Sequence, residues 1–180
     1  MRVRVISRIN AALAALLALV LILLAIVLLG GNKVLPWKTP AEKRVDAFGD
    51  VQAAATRSVL AFLDVDYQHM DDKAMTMESL STGPFKKEYA ATAVELKAAA
   101  QRAKAVSTGD IRYVGVNSLA GSTAKALVAA DAVVENTATK GQKATRACPH
   151  DGARCHQYRF VVTMQRTGGT WKLADLAGAS

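Results

Sequence analysis

The hydrophobic and polar positions along this chain follow three patterns in turn. In the first, nothing alternates: Ala11 to Leu29 reads AALAALLALVLILLAIVLL, without a charge, proline or glycine. As a helix rising about 1.5 Å per residue, this run spans roughly 28 Å, close to the hydrocarbon thickness of a bilayer. A membrane helix is therefore expected over residues 9–31. The competing reading is a cleaved signal peptide, whose apolar core is about 7–15 residues long and ends at a small-x-small site. This run is longer, and Leu28-Leu29-Gly30-Gly31-Asn32 matches such a site poorly.

The second pattern has the helical period. Thr39-Pro40-Ala41-Glu42 offers an N-cap threonine, a proline at the first helical position and a glutamate at the third. From there Val45, Phe48, Val51, Ala55, Val59 and Phe62 recur every three or four residues, which predicts a helix ending near Asp64 to Asp66. Tyr67, Met70, Ala74 and Met77 mark a shorter helix over 67–80. After Ser81-Thr82-Gly83-Pro84, a long helix over 84–106 is expected to bury Phe85, Tyr89, Ala93, Leu96, Ala100 and Ala103. Methionines on such a stripe fill cores far more often than they mark a metal or cofactor box.

Past Ser107-Thr108-Gly109 the period falls to two. Strands are expected over 111–119, 123–135, 158–165 and 170–176, with turns at Ala120-Gly121-Ser122 and Thr167-Gly168-Gly169. Asn136 to His156 is polar, too long for a simple turn, and reads as an elaborated hairpin loop. Three helices followed by an antiparallel meander make an α+β pattern, with the long third helix as cover for the apolar face of the sheet. Trp171, on the last strand, is expected to fill the core.

Charge orients the apolar run. Arg2, Arg4 and Arg8 precede it and Lys33 and Lys38 follow it, with Trp37 at a position suited to the membrane interface. The expected organisation is a cytoplasmic tail over 1–8, the membrane helix over 9–31, a linker over 32–39 and an extracytoplasmic domain over 40–180. The formal charge is +8, but three of the 23 basic residues precede the run and all 15 acidic residues follow it. The outer domain is thus only mildly basic. Its lysines and arginines do not interleave with aromatics as a nucleic-acid surface requires, so membrane lipid or other proteins are the expected partners.

Candidate chemistry is sparse. Asp64, Asp66 and His69 form an acid–base set if they face the interior of the domain. Capping at a helix boundary explains the same residue types, and that reading is preferred. No nucleophile motif, phosphate-cradling glycine loop or paired-histidine motif is present, so neither catalysis nor a cofactor is expected. Cys148 and Cys155, with His150 and His156 nearby, match no common structural zinc spacing, and no metal site is expected. They would be free thiols in a cytosolic domain and a disulfide in an exported one. The inferred compartment favours the disulfide, which would stiffen the loop as a contact surface.

The order of short motifs resembles a known family. Leu60-Ala61-Phe62-Leu63-Asp64-Val65-Asp66-Tyr67 is followed by Leu80-Ser81-Thr82-Gly83-Pro84-Phe85, Glu88-Tyr89 and Gly115-Val116. Gly168-Gly169-Thr170-Trp171-Lys172-Leu173-Ala174-Asp175-Leu176 closes the chain. Together they resemble the Mce-associated membrane proteins of mycobacteria and their relatives. The resemblance implies one anchor plus a cone-shaped nuclear transport factor 2-like domain. It also implies a non-enzymatic accessory role beside an Mce-type lipid importer, with Mce proteins and YrbE-type permeases as partners. The Cys148–Cys155 loop has no counterpart in that pattern. Two other readings remain: a scaffold of another envelope machine such as a type IV secretion system, and a cone-fold domain binding an apolar small molecule.

Overall fold

The computed structural model describes residues 13–26 and 38–179. Residues 13–26 are helical (α1), with exposed side chains. Among the described residues no helix is long and apolar enough to cross a membrane. The rest of the expected span (9–12 and 27–31), the tail with Arg2, Arg4 and Arg8, and linker residues 32–37 with Lys33 and Trp37 lie outside the described residues. Lys38 is described, and it is exposed.

From residue 45 onward the chain forms one unit, distinct from residues 1–44. The helix α2 runs Pro40–Leu63, β1 Val65–Asp66, α3 Met70–Leu80 and α4 Gly83–Ala103. The strands β2 Val106–Ala120, β3 Thr123–Glu135, β4 Ala153–Thr167 and β5 Thr170–Gly178 follow. All five strands make one antiparallel sheet in sequence order. The α+β class expected from the sequence is the one observed.

Local chemistry fixes the element ends. α2 opens on a capping box: the Thr39 backbone N–H donates to Glu42 Oε2 at 2.7 Å, and the Glu42 N–H donates to Thr39 Oγ1 at 3.2 Å. Gly168 and Gly169, at φ 58° and 84°, supply the two left-handed residues that a two-residue hairpin needs between β4 and β5. Register slips in β2 between Ile111 and Tyr113 and between Val116 and Ser118. Each slip is a bulge that bends the strand.

Alternation on the sheet separates a core face from an outer face. Ala124, Ala126, Val128, Ala130 and Ala132 of β3 are buried, as are Phe160, Val162 and Met164 of β4. The core also takes Val51, Ala55 and Val59 from α2, Met77 from α3, Tyr89 from α4, and Trp171 and Leu173 from β5. Phe62 of α2 sits edge-on to both Phe85 of α4 and Phe160 of β4, with centroids 6.3 and 6.2 Å apart, so one ring joins two helices and the sheet.

Several expectations are corrected. Val45 is exposed at 71% and Leu96 at 43%, so neither belongs to the core. α3 begins at Met70 rather than Tyr67, because Tyr67 enters a turn and donates its N–H to Ala105 O. α4 stops at Ala103, where Lys104 adopts a left-handed φ of 50°. β2 starts at Val106, five residues before the expected Ile111, and β4 starts at Ala153, which takes Cys155 and His156 out of the loop and into the sheet.

Two glycines give opposite predictions. A Cβ on Gly109 would stand 2.8 Å from Leu63 Cβ, a position no flexible side-chain end can vacate. Gly109→Ala should therefore cost about 1–3 kcal/mol. Gly49 lies in exposed helix with nothing within 4 Å of its added Cβ. Gly49→Ala should gain about 0.5–1 kcal/mol. Denaturant unfolding of both variants checks the signs.

Candidate functional site

Two clusters of polar residues lie outside the core. The first is the joint at the C-terminus of α2, where Asp64, Asp66 and His69 fall. A helix end leaves its last carbonyls without partners. Here the Lys73 ammonium, projecting from α3, donates to Ala61 O at 2.7 Å, to Phe62 O at 3.0 Å and to Asp64 O. Burial pushes the Lys73 pKa down to about 8, partly offset by the Asp64 carboxylate. The amine remains a cation at neutral pH and can hold all three bonds. Asp64 Oδ1 accepts the Gly109 N–H at 2.7 Å, which ties the helix end to β2.

Asp66 does not join Asp64 in a shared site. Its Oδ1 accepts the Gln68 N–H at 2.9 Å, and its Oδ2 lies 2.7 Å from His69 Nδ1. The Asp66 and His69 side chains are 43% and 64% exposed, so the pair stands in solvent rather than facing the core. The Gln68 N–H and the His69 ring hold the Asp66 pKa below the usual carboxylate range. The Asp66 carboxylate in turn raises His69 above its ordinary value. Asp66 thus serves the turn before α3, Asp64 ties the helix end to β2, and α3 itself carries no side-chain N-cap bond.

The second cluster is the loop over 136–152, between β3 and β4. Asn136 Oδ1 accepts the N–H groups of Ala138 and Thr139, a side-chain turn that starts the loop. Thr139 is buried, and its hydroxyl accepts the Asn136 N–H and donates to Gly152 O at 2.7 Å, joining the two legs. Further rungs run from Gly152 N to Gln142 O, Ala144 N to Asp151 Oδ1 and Thr145 N to Cys148 O. Cys148 and Cys155 are at disulfide distance, with Cα atoms 5.3 Å apart. Because Cys155 sits in β4 opposite Val133, the link draws the loop tip back onto the outer face of the sheet. The elaborated hairpin loop expected from the sequence is therefore a folded-back one.

Beneath the tip lies a groove of about 600 Å³. Ala147, Pro149 and His150 form one wall; Arg112, Asp131 and Gln157 form the other. Arg112 Nε donates to Asp131 Oδ2 at 2.7 Å, and its NH1 lies 3.0 Å from Asp110 Oδ2; this raises the guanidinium pKa. A smaller groove of about 360 Å³, at the loop base, is lined by Lys104, Glu135, Lys140 and Gly152 among others. Among the described residues no group of three or more His, Cys, Asp or Glu side chains is placed to hold a metal.

Sequence reasoning located the loop and its cysteines but missed the Lys73 cap and the Arg112 bridge. Asn136-x-x-Thr139 was the readable signal for the turn. Lys73 gave no signal, because its partners are backbone carbonyls about ten residues earlier. The Arg112 bridge depends on a bulge that no local pattern announces.

The same α+β arrangement occurs in three solved structures. One is an IcmL-like type IV secretion system protein (lpg0120) from Legionella pneumophila, 11% identical, covering 73% of this chain and 91% of that one, with a TM-score of 0.55. CagV, a VirB8 homologue from Helicobacter pylori, is 8% identical, covers 73% and 99%, and scores 0.52. Kfla4162 from Kribbella flavida is 13% identical, covers 76% and 93%, and scores 0.51. At such identities the likeness is one of fold. None of the curated proteins matches the chain. The model of a family described as "Uncharacterized protein Rv1363c/MT1408-like" matches residues 10–177.

Two predictions follow from these clusters. Asp66→Asn should return the His69 pKa, read by NMR titration, toward its ordinary value. The sign follows from the raised folded-state value: this pair stabilises the fold fully below the unfolded His pKa of about 6.5, and the contribution is lost as pH rises through the folded pKa. Replacing both cysteines with serine should cost no more than about 2.5 kcal/mol, the chain-entropy value for a ring this short. Amide exchange should quicken across 136–152 and stay unchanged in β3.

Proposed function

This chain belongs to the Rv1363c/MT1408-like family, and we propose that it is a non-enzymatic accessory subunit of an Mce-type lipid importer in the cell envelope. In this reading residues 9–31 anchor it in the cell membrane with the N-terminus cytoplasmic. The α+β domain, of nuclear transport factor 2-like type, stands outside and stabilises or orients the Mce proteins and YrbE-type permeases. The observation that carries the reading is continuity. One family match runs from the start of the uncharged apolar segment to the last strand, across residues 10–177, so segment and domain belong together as a unit. The motif order from Leu60 to Leu176 supplies the Mce resemblance. The solvent position of Asp66 and His69 supports a role without catalysis, and a disulfide suits an exported domain.

A second reading, a scaffold of a type IV secretion system, draws on the fold shared with the IcmL-like protein and CagV. Affinity purification of the full chain from membranes in mild detergent separates the two. Mce and YrbE-type subunits should be recovered with it. Recovery of the chain alone while the importer stays intact would sink the first reading, and recovery of secretion-system components would replace it with the second.

A further inference from the structure

We propose that the disulfide-closed loop, with the end of α4 beside it, is a docking surface for an acidic segment of a partner protein. Five cations lie along these segments: Lys104 at the end of α4, Lys140, Lys143 and Arg146 in the loop, and Arg154 at the start of β4. All five are exposed. The only carboxylates of the loop and its flanking strand ends are Glu135 and Asp151. Among the described residues none of the five cations makes an ion pair, whereas Lys86, Lys97 and Arg112 elsewhere on the domain do. Other lysines and arginines of the domain are also without an ion pair, but the excess is local: five cations against two carboxylates give 5 − 2 = +3 here, out of 20 − 15 = +5 for the chain after residue 31.

The loop is also built to keep that excess in place. The Thr139 staple, the Asp151–Ala144 rung and the Cys148–Cys155 link hold the segment that carries Lys140, Lys143 and Arg146 in one shape. Thr137 N donates to Ala103 O at 2.9 Å, which fixes the loop base against α4 and brings Lys104 beside Lys140 on one groove. Lys104 is the only non-glycine with positive φ among the described residues. At a left-handed helix end glycine is free of strain, and a lysine is not. The ammonium is kept at that spot despite the strain.

One observation favours a protein over a membrane surface. No large hydrophobic side chain is exposed between residues 136 and 152, so the loop lacks the apolar face with which an interfacial segment enters a bilayer. A pre-shaped, positively charged surface of this kind steers an acidic partner and loses little ordering entropy on contact.

The inference rests on the exported-domain part of the proposed function, and the experiment keeps the two apart. Benzoylphenylalanine is placed at Arg146, and separately at Thr167 at the far end of β4, in the full chain in its native membrane. After illumination the position-146 adduct should be a protein, cross-linked through a peptide with clustered Asp or Glu. Position 167 should give no such adduct, and Lys140→Glu with Lys143→Glu should reduce the 146 adduct at least tenfold. A 20-residue oligoglutamate peptide should bind the full chain in neutral detergent and lose that binding in the charge-reversed variant. Adducts to phospholipid, adducts to peptides without an acidic cluster, or none would each overturn the proposal. Importer subunits recovered equally with the charge-reversed chain would refute the docking role alone. An acidic adduct formed where no importer subunit co-purifies would refute the importer assignment and leave the docking surface standing.

Discussion

The structure hangs on how α2 ends. A 24-residue helix running into a sheet must still satisfy its last carbonyls. Lys73 supplies three donors from a separate helix, Asp64 takes the Gly109 N–H, and Gly109 contributes by having no Cβ to meet Leu63. That joint fixes β1 against β2 and sets where α3 begins. Through the Tyr67-to-Ala105 and Thr137-to-Ala103 bonds, the same region also holds the end of α4 and the base of the loop.

Packing above the joint is a matter of complementary volumes. The core face of β3 is mostly alanine, whereas its neighbour β4 presents Phe160, Val162 and Met164. Small residues on the central strand leave room for Phe62 to reach across from α2 and for Met77 and Tyr89 to enter from α3 and α4. A sheet of large side chains throughout would hold the helices further off and leave gaps between them. Enlarging one of these alanines would therefore crowd the core that the helices and the sheet share.

The elements most legible in the sequence were those set by local chemistry. Thr39 to Glu42 declared a helix start, and Gly168-Gly169 declared a two-residue hairpin; both stand where expected. The stripes of α2 and α4 were legible as faces but not in their extent. A 3.6-residue period says which side is apolar, not how completely its neighbours cover it: Val45 is exposed near the start of α2, and Leu96 is exposed although Tyr89 and Ala100 on either side of it are buried. The early starts of β2 and β4 were hidden because Ser107, Thr108, Arg154 and His156 are polar. Strand pairing recruited them regardless, as backbone bonds do not depend on side-chain type. At the candidate site the cysteines were legible, but not the backward fold of the loop. That fold follows from Cys155 lying in a strand, a consequence of register rather than composition.

Concentrating positive charge within so short a loop works against its own compactness. In an untied segment like charges spread until water screens them. The internal rungs are neutral hydrogen bonds apart from Asp151, so they do little to offset the repulsion directly. The covalent link between Cys148 and Cys155 is insensitive to charge and to salt, and it holds the tip while the surface keeps its field. The disulfide closes a short ring away from the core, so its effect on stability stays within the chain-entropy limit of about 2.5 kcal/mol. It ties the loop tip to β4 while Lys140, Lys143 and Arg146 stay exposed.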